Sequence, residues 1–256
     1  MSEQIIGIIP AAGKGTRLAP FPCPKELFPV GYQDYEIKGR LERRPKVVSQ
    51  YLFEELVLAG AQRIFIILGE SKHDIARYYG DGRRFGADVA YLYQEDLRGM
   101  PFALDLAYPW LMGATVVFGM PDTIIEPRDA FVQLLEKHRA ANADLTLGLF
   151  PTETPWKFGM VKLDEQDRVV YNIDKPKETD LRYMWGFCCW NQTFSDLMHR
   201  YLRDTAYTGK EIVLSQVFDE AIRQGLRAQG VRFDSGRYLD IGTAEELDVA
   251  LKKFHL

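Results

Sequence analysis

The stretch over residues 7–31, GIIPAAGKGTRLAPFPCPKELFPVG, constrains this chain more than any other. An apolar run over residues 5–9 predicts a buried strand, and it empties into a glycine-bearing loop that carries Lys14, Thr16, Arg17 and then Lys25. Glycine lets backbone N–H groups turn toward an anion, while Arg and Lys supply the charge that phosphate oxygens need. The segment therefore predicts phosphate handling at the end of the first strand. Two familiar phosphate loops are excluded by the spelling. The P-loop needs its first glycine where Ile8 stands, and Gly13-Lys14 is followed by Gly15 rather than Ser or Thr. The dinucleotide fingerprint needs a third glycine where Leu18 stands, and Pro20, Pro22 and Pro24 interrupt any helix behind it, which counts against a Rossmann oxidoreductase.

What remains, IPAAGKGTRL followed by PKEL and PV, resembles the signature of the sugar-1-phosphate nucleotidyltransferases and is closest in spelling to their bacterial uridylyl- and thymidylyltransferase branch. The resemblance runs from about residue 5 to about residue 247, leaving out residues 32–44, a charged insertion that relatives mostly lack and whose default reading is a solvated hairpin.

The rest of the chain alternates strand and helix. Pro45 predicts the opening of a helix in which Val48, Leu52, Leu56 and Ala59 recur at helical spacing and which Gly60 stops. Strands over 63–68, 89–93, 114–119 and 145–150 are separated by helices over 72–79, 101–111 and 128–140. Such alternation predicts a Rossmann-like α/β fold, a mostly parallel mixed sheet with helices on both faces. Beyond Pro151 short strands over 160–164, 168–174 and 183–190 predict a smaller β-rich lobe, which the resemblance makes the sugar-facing one, before helices resume over 194–202 and 212–224. With 256 residues, 46% hydrophobic content and no linker or repeat, the expectation is one domain, a nucleotide half over about 1–150 and a sugar half over about 151–256.

In open α/β sheets ligands bind outside the carboxyl ends of the strands. Asp122 follows the strand ATVVFG, and Asp240 follows the apolar run of RYLDIGT. Two acids at strand ends suggest a Mg²⁺ site, because magnesium usually takes one or two carboxylates plus substrate phosphates. Asp240 and Thr243 could equally cap the helix that follows; the family order, with one acid after the middle strand and another in a terminal DxGT, favours the metal.

The resemblance assigns further roles. It implies that Arg17 meets the leaving pyrophosphate and Lys25 the α-phosphate, while Ala11, Ala12, Gly13, Gly15 and Thr16 surround the nucleotide. Gln94, with its donor and acceptor, would read the base beside Gly99. Asp174 and Lys175 in NIDKPKE would hold sugar hydroxyls and the attacking phosphate; Gly159 and Gly186 would let the sugar approach backbone, and Glu211 would shape the sugar site. The implied reaction joins a nucleoside triphosphate, UTP or dTTP, to a sugar 1-phosphate. A phosphocholine-type cytidylyltransferase and a non-catalytic sugar-nucleotide-binding homologue are the alternatives, the former because Trp156, Tyr183 and Trp185 could surround a cation.

The net charge of −4 argues against a nucleic-acid partner held by charge. No apolar run approaches the roughly 20 residues of a membrane span, and no leader-like segment is visible, so the expected location is cytoplasmic without a membrane partner. Cys23, Cys188 and Cys189 have neither metal nor disulfide-framework spacing, and His73, His138, His199 and His255 form no zinc arrangement. Many relatives oligomerise, which leaves a homo-oligomer open.

Overall fold

The computed structural model describes residues 3–206 and 208–254. In chain order, β1 (Gln4–Ala11) leads through the proline-rich loop into β2 (Pro29–Ile37), β3 (Arg40–Val47) and α1 (Val48–Leu58). Next come β4 (Arg63–Leu68), α2 (His73–Tyr79), β5 (Asp88–Tyr93), α3 (Met100–Asp105), β6 (Ala114–Phe118), β7 (Thr123–Glu126), α4 (Ala130–Ala140) and β8 (Leu145–Pro151). The remainder is β9 (Gly159–Leu163), β10 (Val169–Asp174), β11 (Tyr183–Trp190), α5 (Gln192–Asp204), α6 (Leu214–Arg223), β12 (Ala228–Arg232), β13 (Arg237–Asp240) and α7 (Ala244–Phe254).

β1 is the centre because its alternating side chains feed two cores at once. Ile6 and Ile8 pack with Ala103 and Leu104 of α3, Leu197 of α5 and Val217 of α6. Ile9 and Ala11 belong to the opposite layer, with Leu52 and Leu56 of α1, Ile75 of α2 and Leu134 of α4. Gly7 lets α1 come close, since a Cβ there would lie 3.1 Å from Leu56 and 3.0 Å from Ile64.

β1 lies between β4 and β6, with β5 outside β4, all parallel. The antiparallel β11 then joins β6 to β8, and β12 adds to β8 in parallel. β9 and β10 complete a nine-stranded sheet in which β10 and β11 alone run against the rest. The mostly parallel mixed sheet expected from the alternation is therefore present, with helices on both faces.

Along the edge of β11 the sheet forks. Cys188, Cys189 and Trp190 pair with β6, whereas Tyr183 and Met184 pair with β9, and the register slips between Trp185 and Phe187. Between the two partners β6 ends, and the chain turns away through Met120 and Pro121 into β7. That gap, at the carboxyl ends of β1 and β6, is where a ligand crevice is expected. A small separate core of Val30, Val48, Ile124, Ile241 and Ala250 closes one side of it and ties the hairpin, α1, β7 and α7 together.

Some sequence expectations need correction. The helix expected from Pro45 begins at Val48, because Pro45 pairs with Tyr32 within the β2–β3 hairpin. That hairpin turns through Lys38 and Gly39, both at positive φ, the backbone a two-residue hairpin turn requires. The helix expected over 101–111 stops at Asp105, since Pro109 has no N–H to give the carbonyl four residues before it, and Pro109 sits instead in a short 3-10 turn, Tyr108–Trp110. β7 and β12 escaped the sequence reading, being short and, in β12, broken by Gly230.

Candidate active site

Two short strands fix the acids. β7 and β13 pair antiparallel, Asp240 opposite Thr123, and the ladder is extended by a hydrogen bond of 3.0 Å from the Ile241 N–H to the Asp122 carbonyl. Asp122 and Asp240 thus meet although they are far apart in sequence. Asp122 is 3% exposed, and its Oδ2 accepts from Lys25 Nζ at 2.5 Å. Burial works against the charge on Lys25, but Asp122, through its charge and hydrogen bond and with help from Glu26 and Asp240, outweighs it and raises the lysine pKa. Asp240 is pushed up to about 6 by burial first, then by the charges of Asp122 and Glu246; the Gly242 N–H, donating to Asp240 Oδ1 at 2.7 Å, and Arg17 pull the other way.

Arg17 comes to the same place. A Cβ on Gly242 would lie 2.9 Å from Arg17 Nη2 and 2.8 Å from Asp240 Oδ1, so the guanidinium and the acid share the surface that this glycine leaves open. Thr243 acts as a helix cap, its Oγ1 accepting from the Glu246 N–H at 3.3 Å.

The first of two adjoining cavities opens onto this cluster at Lys25 and Asp122. It measures about 340 Å³ and is bounded by Ala12, Gly13, Lys25, Gln94, Gly99 and Asp122. The second, about 260 Å³, is bounded by Gly159, Asp174, Lys175, Trp185, Ser215 and Tyr238. Met100, Met120 and Glu211 line both, so a ligand can extend from one into the other. Gln94 is buried, and its Nε2 faces the Gly99 carbonyl at 3.5 Å, which leaves its Oε1 as an acceptor. Lys175 has a left-handed backbone, φ 47°, rare for a side-chain-bearing residue, and its N–H is fixed on the Phe158 carbonyl at 2.9 Å. The Trp185 Nε1 and the Ser215 Oγ are buried without a hydrogen-bond partner in the wall of the second cavity.

Not every expected residue is in the cleft. The Ala11 methyl belongs to the core under α1 because of the strand alternation. Gly186 is covered by the Tyr238 ring, which a Cβ would meet at 2.6 Å, so its lack of a side chain serves packing rather than sugar approach. Gly15 borders a third, larger cavity of about 740 Å³ that shares Ala12, Lys14, Lys25 and Gln94 with the first, and Thr16 opens a 3-10 turn, Thr16–Leu18. Glu211 precedes α6 in a loop and is not a first-turn helix acid. Sequence reading missed Lys72, 5% exposed, whose Nζ donates to Glu26 Oε2 at 2.8 Å. Its place just beyond the carboxyl end of β4 was the signal that could have found it.

The acids suit a magnesium ion. Both are hard oxygen donors, Asp240 is raised by burial and then by the charge of Asp122, and Lys25 already occupies the position where positive charge is stabilised. Among the described residues no group of three or more His, Cys, Asp or Glu is arranged to hold a metal, so such an ion would complete its shell with water and phosphate oxygens. No helix among the described residues is long and apolar enough to cross a membrane.

Comparison with known proteins places this geometry among relatives. Residues 6–255 match the sequence model of a family described as nucleotidyl transferase. The chain is 29% identical over 175 residues to the low-salt glycan biosynthesis nucleotidyltransferase Agl11 of Haloferax volcanii, a match over 67% of this chain and 45% of that protein. It is 26% identical over 244 residues to the UTP–glucose-1-phosphate uridylyltransferase AglF of the same organism, covering 95% of this chain and 93% of that one. The chain thus spans under half the length of one of these relatives and nearly all of the other. Among solved structures, a Bacillus anthracis chain described as a glucose-1-phosphate thymidylyltransferase, determined with sucrose, superposes with a TM-score of 0.83 at 21% identity over 98% of this chain and 95% of that one, a likeness of fold.

Proposed function

Since this chain belongs to the nucleotidyl transferase family, among its sugar-1-phosphate nucleotidyltransferases, we propose that it transfers a nucleotidyl group from UTP or dTTP to a sugar 1-phosphate. A phosphate oxygen of the sugar 1-phosphate attacks the α-phosphorus. The new O–P bond forms as the bond to the β-phosphate oxygen breaks, and pyrophosphate leaves with its electron pair, giving a nucleoside diphosphate sugar. No side-chain nucleophile is needed, because the attacking group is already anionic; catalysis consists of alignment and stabilisation of charge.

The observation that carries the reading is the cluster of Lys25, Asp122, Asp240 and Arg17, which opens through Lys25 and Asp122 onto the first cavity, itself joined to the second along Met100, Met120 and Glu211. In this reading Lys25 leaves Asp122 for the α-phosphate, and Arg17 receives the pyrophosphate. Lys175 holds the attacking phosphate from the other side, its unusual backbone aiming it, and Asp174 accepts from sugar hydroxyls. Asp122 and Asp240 would hold Mg²⁺, which when bound supplies charge neutralisation between the phosphates. Gln94 Oε1 suits the N3–H of uracil or thymine, an argument for UTP or dTTP. The unpartnered Trp185 N–H favours a hydroxylated sugar over phosphocholine, since a trimethylammonium group offers no acceptor.

The test is pyrophosphate release from UTP, dTTP, CTP, ATP and GTP against glucose 1-phosphate, other hexose 1-phosphates and phosphocholine. Turnover with UTP or dTTP and a sugar phosphate is the expected result. Turnover with phosphocholine alone, or none with any pair, overturns the reading.

A further inference from the structure

The segment that carries the cations is packed against the cores through Leu27 and Phe28, and ahead of them it is irregular. Pro20, Pro22 and Pro24 exclude a regular helix over this stretch, and the backbone hydrogen bonds donated from within it are local: Leu18 to Gly15, Ala19 to Thr16, Leu27 to Pro24 and Phe28 to Lys25. Two adjacent residues supply its side-chain tethers in opposite directions. Lys25 reaches Asp122 across the first cavity, and Glu26 turns to Lys72, with the pair buried at 2% and 5% exposure.

The electrostatics of this arrangement are one-sided. Glu26 is a buried carboxylate one residue from Lys25, and its charge acts on that lysine. A buried carboxylate left without a partner takes up a proton or draws the nearest available cation, because an unpaired charge out of water is costly; burial already raises the Glu26 pKa, and Lys72, ahead of Lys25, pulls it down. Lys72, from the start of α2, satisfies Glu26 at 2.8 Å. Its ammonium therefore does more than anchor the loop, for it leaves the neighbouring lysine to other partners.

We propose that the Glu26–Lys72 ion pair is a positioning device for Lys25: Lys72 neutralises Glu26 so that the Lys25 ammonium stays directed at Asp122 and the incoming α-phosphate. The inference rests on the nucleotidyl-transfer reading of the site. Lys72 also borders the third cavity, but with its ammonium held on Glu26 it acts on the reaction through Lys25.

The test is a set of full-length variants, Lys72→Met, Lys72→Arg and the double variant Lys72→Met/Glu26→Gln. Each is assayed by pyrophosphate release with Mg²⁺ and the substrate pair that the wild type turns over, below the melting temperature of every variant. Lys72→Met is expected to lower kcat about tenfold or more per folded molecule, a part of the effect of losing a transition-state donor outright, with triphosphate affinity measured by calorimetry changed by less than about threefold. Removing the stranded acid in the double variant is expected to restore kcat to within about threefold of wild type, and Lys72→Arg to retain most of it. A pair that serves folding alone would shift melting temperature in Lys72→Met while leaving kcat per folded molecule unchanged. That outcome, or a double variant no faster than Lys72→Met, overturns the proposal. Should Lys72→Met fail to fold, Lys72→Gln makes the same comparison, since it too lacks the charge. A wild type inactive on every substrate pair instead removes the underlying reading.

Discussion

Replacing Gly159 by alanine adds one methyl group where there is no room. An ideal Cβ at that position would collide with the Trp185 Nε1 and lie 2.8 Å from its Cδ1 and 3.0 Å from Ser215 Oγ. Gly159 is not among the glycines with positive φ, so an alanine there meets no backbone strain and the effect is the collision itself. The Trp185 ring stands edge-on to Phe218, with centroids 5.2 Å apart, and Phe218 belongs to the core, so the indole cannot retreat inward. It moves instead into the second cavity, which has about 260 Å³ to lose from. Overpacking of this kind costs about 1–3 kcal/mol. If that falls wholly on sugar binding, it corresponds to a roughly 5- to 150-fold rise in KM for the sugar 1-phosphate, at about 1.4 kcal/mol per factor of ten. The assay is the KM for each substrate with the other saturating, alongside calorimetric binding of the triphosphate alone. Sugar-phosphate KM should rise within that range while triphosphate affinity stays within about twofold, because neither Gly159 nor Trp185 bounds the first cavity. An unchanged sugar-phosphate KM, or equal losses for both substrates with a lowered melting temperature, refutes the placement of the sugar.

Lys25→Met should lower kcat about 10²–10³-fold, the range for losing one transition-state donor; it also strands Asp122 and Asp240, so Mg²⁺ should raise the melting temperature of the variant more than that of the wild type, and an equal rise in both refutes the two-acid metal site. Glu55, 4% exposed with an unpartnered Oε2, is pushed up to about 9 by burial, so it stays protonated in the folded chain while the unfolded chain ionises it from about pH 4.5. The stabilisation present below that pH is lost as pH rises toward 9, at about 1.4 kcal/mol per unit, so urea unfolding should show a steeper loss between about pH 5.5 and 7.5 in the wild type than in Glu55→Gln; parallel slopes count against it. Gly99→Ala should weaken both folding and triphosphate binding, since Gly99 has φ 120° and a Cβ would strike the Ile212 backbone; calorimetric affinity equal to wild type counts against this assignment of the base-side loop.

Much of the fold could be read from one dimension because it is written in short periods. The alternation around Ile6, Ile8, Ile9 and Ala11 and the spacing of Leu52 and Leu56 each predict an element and its buried face, as the two cores of the sheet show. The phosphate loop was legible for the same local reason, since Gly13, Gly15, Arg17 and Lys25 are neighbours in sequence. Elements that depend on distant partners were not. Pro45 opens a helix by local preference but lies within a strand because Tyr32 is opposite it, and β7 exists as a strand through its pairing with β13.

The same division runs through the site. From residue types alone came two strand-end acids and the loop cations, and the resemblance added the DKP pair, enough to expect a triphosphate beside a sugar phosphate. Only the folded chain could decide that Lys25 lies on Asp122, that Gly242 makes room for Arg17 beside Asp240, that Gly186 serves Tyr238, and that Lys72 holds Glu26. Sequence specifies which groups are available and which local shapes they favour; electrostatic pairing depends on distance and burial, and both arise when strands far apart in the chain are brought edge to edge.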